Sequence, residues 1–145
     1  MKLVFYLHRN MQKFAPHFQS LSDTATIAVW PEYDCQRLLK EAECLITDYS
    51  SVAMDFAYMR KPVLYYQFDY EQFRKGHMGE GYYDYEQDGF GPICSNENEL
   101  IQAFEKTVSE DFCMEHQYIK RCDAFFYYHD RNYCKRNYEA IKKLK

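Results

Sequence analysis

Glycine, proline and tryptophan are scarce, at 5, 4 and 1 of 145 residues. Every glycine falls between Gly76 and Gly91. The rest of the chain is therefore built without the residue that most readily takes left-handed turns. No apolar run approaches the length that spans a bilayer. Met1–Leu7 resembles the opening of a signal peptide, but the run is short and His8-Arg9-Asn10 ends it, so it is read as a strand. There is no G-x-G-x-x-G and no Walker loop, and spacing assembles no Ser/His/Asp triad. Positive charge is not in excess: 18 Lys and Arg face 22 Asp and Glu, a net charge of −4. Non-specific nucleic-acid binding wants a basic surface, so that class is set aside. The six cysteines (35, 44, 94, 113, 122 and 134) include no C-x-x-C pair. They form neither a zinc ligand set nor a convincing disulfide framework, and scattered free thiols point to a reducing, cytoplasmic compartment. Asp84, Glu86 and Asp88 alternate as calcium-loop acids do, but the EF-hand pattern and its closing Glu are missing. Neither metal nor cofactor is assigned.

What is present suits one domain with a real core. Apolar residues make up 47% and aromatics 19%, mostly as 15 Tyr and 11 Phe. The chain is organised around Glu43–Ala57. Cys44-Leu45-Ile46-Thr47 is a short apolar run of the kind that forms a buried strand. Asp48-Tyr49-Ser50-Ser51 is rich in helix-capping side chains. Val52, Phe56 and Met59 then recur at helical spacing. Strand, tight turn and helix follow in that order. Two serines fall where the first N–H groups of a helix have no internal partner, which suits a phosphate. Ser51 and Asp55, four apart, share a face where a carboxylate suits sugar hydroxyls. The competing reading is ordinary capping.

Taken in order, Lys2–Leu7 reads as a strand and Met11, Phe14, Phe18 and Leu21 as a helix that Pro16 kinks or shortens. Thr24–Trp30 is a second strand, and Cys35–Glu41 a short helix after a capped turn. After the central strand and helix, Lys61-Pro62 is a break and Val63–Tyr66 a fourth strand. This alternation predicts an α/β fold with a parallel sheet, whose ligands collect beyond the carboxyl ends of the strands. His8-Arg9, Thr47–Ser51 and Gln67–Asp69 lie at such ends. Residues 68–94 read as a long glycine- and tyrosine-rich loop, a length that is usually functional or disordered. A helix capped by Ser95 or Asn96 follows, then helices over about 111–127 and from about Tyr133. The basic residues Arg131, Lys135, Arg136, Lys142, Lys143 and Lys145 read as a solvated helix face, with a membrane-surface contact as the sharper alternative.

The wording of the central stretch carries a resemblance. Leu45–Val52, then Asp55-Phe56, then Lys61-Pro62-Val63 resembles the signature of the CDP-glycerol glycerophosphotransferases of teichoic acid synthesis. Leu7-His8-Arg9-Asn10-Met11 resembles the family's Leu-His-Pro-Asn segment, with Arg9 in place of Pro. Gly76-His77, Gly81-Tyr82, Asp84-Tyr85-Glu86 and Asp88-Gly89-Phe90-Gly91-Pro92 resemble a variant of its later stretch, and Asp130 with Arg136 its closing motif.

The resemblance implies a Rossmann-like parallel sheet flanked by helices, the C-terminal half of a GT-B type glycosyltransferase, with a C-terminal helical extension. It implies a single, truncated donor-binding domain over 1–145, lacking the N-terminal domain, and little transferase activity for the fragment alone. The implied reaction moves glycerol phosphate from CDP-glycerol, or a similar nucleotide donor, to a polymer acceptor such as teichoic acid. His8 would be catalytic, near the leaving phosphate. Arg9, Asp48, Ser50, Ser51, Asp55, His77 and Arg136 would bind substrate. Other expectations stay open: a non-catalytic interaction fragment, a donor such as CDP-ribitol or a nucleotide sugar, a homo-oligomer, and peripheral contact with the inner face of the plasma membrane.

Overall fold

The structure is a computed structural model that describes residues 1–21, 25–77 and 83–144, without the side chains of 19–21 and 77. Its contacts divide it into two compact units, Met1–Ala42 and Glu43–Lys145.

In the smaller unit, β1 (Leu3–Tyr6) and β2 (Ala25–Ala28) pair in parallel, from Leu3 against Ala25 to Tyr6 against Ala28. Between them runs a 3-10 helix, Arg9–Leu21, with Pro16 inside it. Pro16 offers no N–H, and the stretch takes the tighter winding throughout instead of a kinked α-helix. α1 (Cys35–Glu41) starts at Asp34, whose side chain accepts from the Arg37 N–H at 2.8 Å. Among the described residues, Leu7, Ala25 and Ala28 are the buried apolar residues of this unit, so the core they form is thin.

The larger unit contains β3 (Leu45–Thr47), β4 (Val63–Tyr66) and β5 (Ile93–Cys94), in the order β3-β4-β5 and all parallel. β4 is central, and its Val63, Leu64 and Tyr65 are at most 1% exposed. β3 is not the fully buried strand its composition predicts. It lies at the edge of the described sheet, and Ile46 is 41% exposed. α2 (Val52–Tyr58) buries Ala53, Phe56 and Ala57. Its inward face is thus shifted from the Val52/Phe56/Met59 stripe, with alanines letting the helix approach closely.

The expected loop after β4 instead carries α3 (Tyr70–His77) and a single turn, α4 (Tyr85–Asp88). Asp84 caps α4, accepting from the N–H groups of Glu86 and Gln87, while Asp88 accepts from the Asp84 N–H. Two of the alternating acids therefore hold a turn. Among the described residues no cluster of three or more His, Cys, Asp or Glu could hold a metal. Gly91 passes so close to β4 that an added Cβ would lie 1.6 Å from the Val63 carbonyl oxygen, which accounts for glycine there. Gly81-Tyr82 lies outside the described residues.

α5 (Glu97–Ser109) opens with a reciprocal cap. Asn96 accepts from the Glu99 N–H at 3.1 Å, and the Glu99 carboxylate accepts from the Ser95 N–H at 2.7 Å. The next helix starts later than periodicity suggests, as α6 (His116–Phe125), because Asp111 and Phe112 both take left-handed backbone (φ 52 and 55). α7 (Tyr133–Lys142) closes the chain. Ala57, Phe90, Met114 and Cys122 form a buried cluster against which Met54, Tyr83, Tyr118, Ile119 and Phe126 pack. The class is α/β, with parallel sheets flanked by helices and a helical extension at the end. No helix of the described residues is long and apolar enough to cross a membrane.

Candidate functional site

The turn between β3 and α2 carries the polar run Asp48-Tyr49-Ser50-Ser51. Asp48 and Ser51 are exposed, and Tyr49 and Ser50 half-buried. The side chain of Ser51 makes no capping bond. Ser50 and Ser51 contribute only their carbonyls, to the N–H groups of Ala53 and Met54. Their hydroxyls and their own N–H groups have no partner among the described residues. Such a turn offers several hydrogen-bond donors to one anionic group. Asp55 is exposed one helical turn below Ser51. A surface hollow of about 310 Å³ lies elsewhere, bordered by Tyr85, Pro92, Ser95, Tyr118 and Arg121.

Side chains beyond the turn hold it in place. Gln67, only 3% exposed, donates from Nε2 to the Asp48 carbonyl at 3.2 Å. The Tyr85 hydroxyl donates to the Tyr49 carbonyl at 3.3 Å. The Tyr49 hydroxyl donates to Asp69 at 2.8 Å, and its ring lies flat on Phe73, with centroids 3.6 Å apart and planes 6° apart. Burial, with the Asp69 hydrogen bond, raises the Tyr49 phenol well above its ordinary range. Burial, then the neighbouring Tyr65 and Asp48, pushes Tyr85 up to about 12. Both hydroxyls are donors at neutral pH. The ends of β3 and β4 thus meet as their place in a parallel sheet predicts. Gln67 lies at one of the strand ends and Tyr85 in one of the stretches singled out from the sequence, but their bonds to the turn are not readable from either. The one available signal is a glutamine directly after an apolar strand.

The other expected residues fall as follows. His8 and Arg9 are exposed in the smaller unit just past β1. The Asn10 N–H donates to His8 Nδ1 at 3.3 Å, which leaves Nε2 to carry the proton of the neutral ring. His77 ends α3, and its side chain lies outside the described residues. Arg136 is engaged where it stands. Its Nη1 pairs with Asp130 at 2.9 Å, and its guanidinium lies 3.8 Å from the Tyr128 ring centroid and 4.5 Å from that of Tyr133. Its Nη2 is buried without a partner among the described residues. The Asp130 carboxyl is held below its usual range, first by the Asn132 N–H and then by Arg136. The Cys44 and Cys122 thiols are both pushed up to about 11, by burial first, so neither is a ready nucleophile.

Comparison with known proteins places the chain among teichoic acid enzymes. The minor teichoic acid biosynthesis protein GgaB of Bacillus subtilis is 37% identical over 143 residues, covering 99% of this chain and 15% of its own length. A teichoic acid poly(glycerol phosphate) polymerase of the same organism is 34% identical over 94 residues, covering 65% of this chain and 12% of its own. A solved structure of the wall teichoic acid polymerase TagF superposes with a TM-score of 0.71 at 22% identity, over 98% of this chain and 34% of that one. This chain therefore spans only a minor part of the relatives it matches. The CDP-Glycerol:Poly(glycerophosphate) glycerophosphotransferase family matches residues 1–143, and the chain belongs to that family.

Proposed function

We propose that this chain supplies the donor-binding part of a glycerophosphotransferase that moves glycerol phosphate from CDP-glycerol to a hydroxyl of a teichoic acid or related polymer. In that reaction the acceptor oxygen bonds to the phosphorus that bears glycerol. The bond from that phosphorus to the bridging oxygen breaks, CMP leaves with the electron pair, and the proton of the acceptor hydroxyl passes to the departing phosphate or to solvent. The observation that carries the reading is the β3–α2 turn, where two hydroxyls and two N–H groups with no partner among the described residues stand together at a strand end. Ser50 and Ser51 hold the diphosphate, with Asp48 at the rim of the turn and Asp55 toward the ribose. His8 and Arg9 belong to the same assignment at the leaving phosphate, and His77 and Arg136 to donor binding more broadly. Peripheral membrane contact fits the face of α7 that exposes Tyr138 and Ile141 near Lys142 and Lys143.

Calorimetric titration of the chain with CDP-glycerol, CDP-ribitol, CMP and UDP-sugars tests the assignment. Heat from cytidine diphosphate compounds is expected. Changing Ser50 and Ser51 together to Ala should leave the fold intact and weaken CDP-glycerol binding at least tenfold, because hydrogen bonds to charged groups contribute about 1.5–3 kcal/mol each. Unchanged affinity in the folded double variant would remove the serines from the site.

A further inference from the structure

We infer that Gln67 and Tyr85 are positioning residues for the donor phosphates, a reading that rests on the serine turn being the phosphate site. The argument comes from the planarity of the peptide unit. In a trans peptide the C=O and the following N–H point in opposite directions. Gln67 Nε2 holds the Asp48 carbonyl and the Tyr85 hydroxyl holds the Tyr49 carbonyl, at 3.2 and 3.3 Å. Each bond draws an oxygen toward the protein and so directs the next N–H, that of Tyr49 and then of Ser50, the other way. Neither N–H has an acceptor among the described residues. Two successive donors are thereby aimed outward before any ligand arrives, beside the serine hydroxyls.

The two clamps are themselves well fixed. Gln67 follows β4, the central strand, and its own N–H donates to the Cys94 carbonyl at 2.9 Å. The Tyr85 ring stands edge-on to Tyr65 and Tyr83, with centroids 5.2 and 5.1 Å away. Holding the turn in its binding shape beforehand reduces the ordering cost of binding. Loss of either clamp should weaken the phosphate contacts and spare contacts to the nucleoside.

The test compares CDP-glycerol with cytidine, which lacks phosphates, by calorimetry on the full chain. Tyr85→Phe removes one hydroxyl and little volume, and Gln67→Leu removes the amide donor. Each should weaken CDP-glycerol binding about three- to tenfold and leave cytidine affinity unchanged. Tyr83→Phe is the control, because that hydroxyl donates to the Asp88 carbonyl and not to the turn. Its affinities should equal those of the unaltered chain. Equal losses for CDP-glycerol and cytidine would mean general loosening and would overturn the inference. So would unchanged CDP-glycerol affinity in Tyr85→Phe while the Ser50/Ser51 double variant loses binding. Unchanged binding in that double variant would instead remove the phosphate site, and the positioning role with it.

Discussion

The chain leaves β1 and β3 in similar ways. Each strand ends in a polar segment, and each is held by a glutamine amide. Gln12 Nε2 donates to the Leu7 carbonyl at 3.2 Å in the smaller unit, as Gln67 Nε2 donates to the Asp48 carbonyl in the larger. The backing differs. Gln12 is only partly buried, and its Oε1 accepts from the exposed Trp30 at 3.0 Å. Gln67 is buried, and aromatic rings from α3 and α4 pack around the turn it holds. A shared local plan thus gives a loosely held segment at His8-Arg9 and a firmly held one at Asp48–Ser51. Core depth, more than motif, decides how well a polar segment is presented.

Core depth is the first thing to break. Phe56, with no exposed surface, should cost about 3–5 kcal/mol when changed to Ala. Phe14, 38% exposed on the 3-10 helix, should cost about 1 kcal/mol. Denaturant titration of both variants checks the contrast, and similar losses would contradict it.

Alkaline pH gives a smaller effect. Burial is the leading cause that raises Tyr49, Tyr65, Tyr83 and Tyr85, all in the larger unit. A phenol raised in the fold adds stability that is present below the ordinary phenol value near 10 and is lost as pH rises through the folded value. Melting temperature should hold steady to about pH 9 and drop by roughly 5 °C by pH 11. A flat profile would mean these rings are more open to water than the structure shows.

The smallest effect sharpens the comparison by removing core depth from it. Asp34 and Asn96 each cap a helix, one in each unit, through a single bond to an exposed N–H. Either residue changed to Ala should cost about 1 kcal/mol, and the two losses should agree because capping is local. A clear difference in paired melts would show that unit context reaches even the caps.

Much of this was legible in the sequence because it is local. The strand–turn–helix order at 45–58, the break at Lys61-Pro62 and a cap at Ser95 or Asn96, which the structure assigns to Asn96, follow from neighbouring residues. Elements set by distant contacts were not legible. β5 is two residues long and is a strand only because β4 lies beside it. α3 and α4 form in a stretch whose glycines and tyrosines read as loop, because Tyr49 and Tyr65 give its rings something to pack on. The exposure of Ile46 follows from its edge position, which composition does not encode. At the site, the serines were visible as types at a spacing. The clamps were not, since each joins residues 19 or 36 positions apart.

Arg136 has a consequence for the smallest useful piece of this chain. The Asp130 it pairs with also receives the Tyr58 hydroxyl on its carbonyl, at 2.8 Å. Tyr58 is the last residue of α2, a rod about 10 Å long whose other end is the serine turn. The final helix therefore braces that rod from behind. Trimming the chain before residue 128 would keep every side chain of the turn and the core contacts of α2, yet remove the brace at its far end, so the shortest piece with the turn fully supported runs through α7.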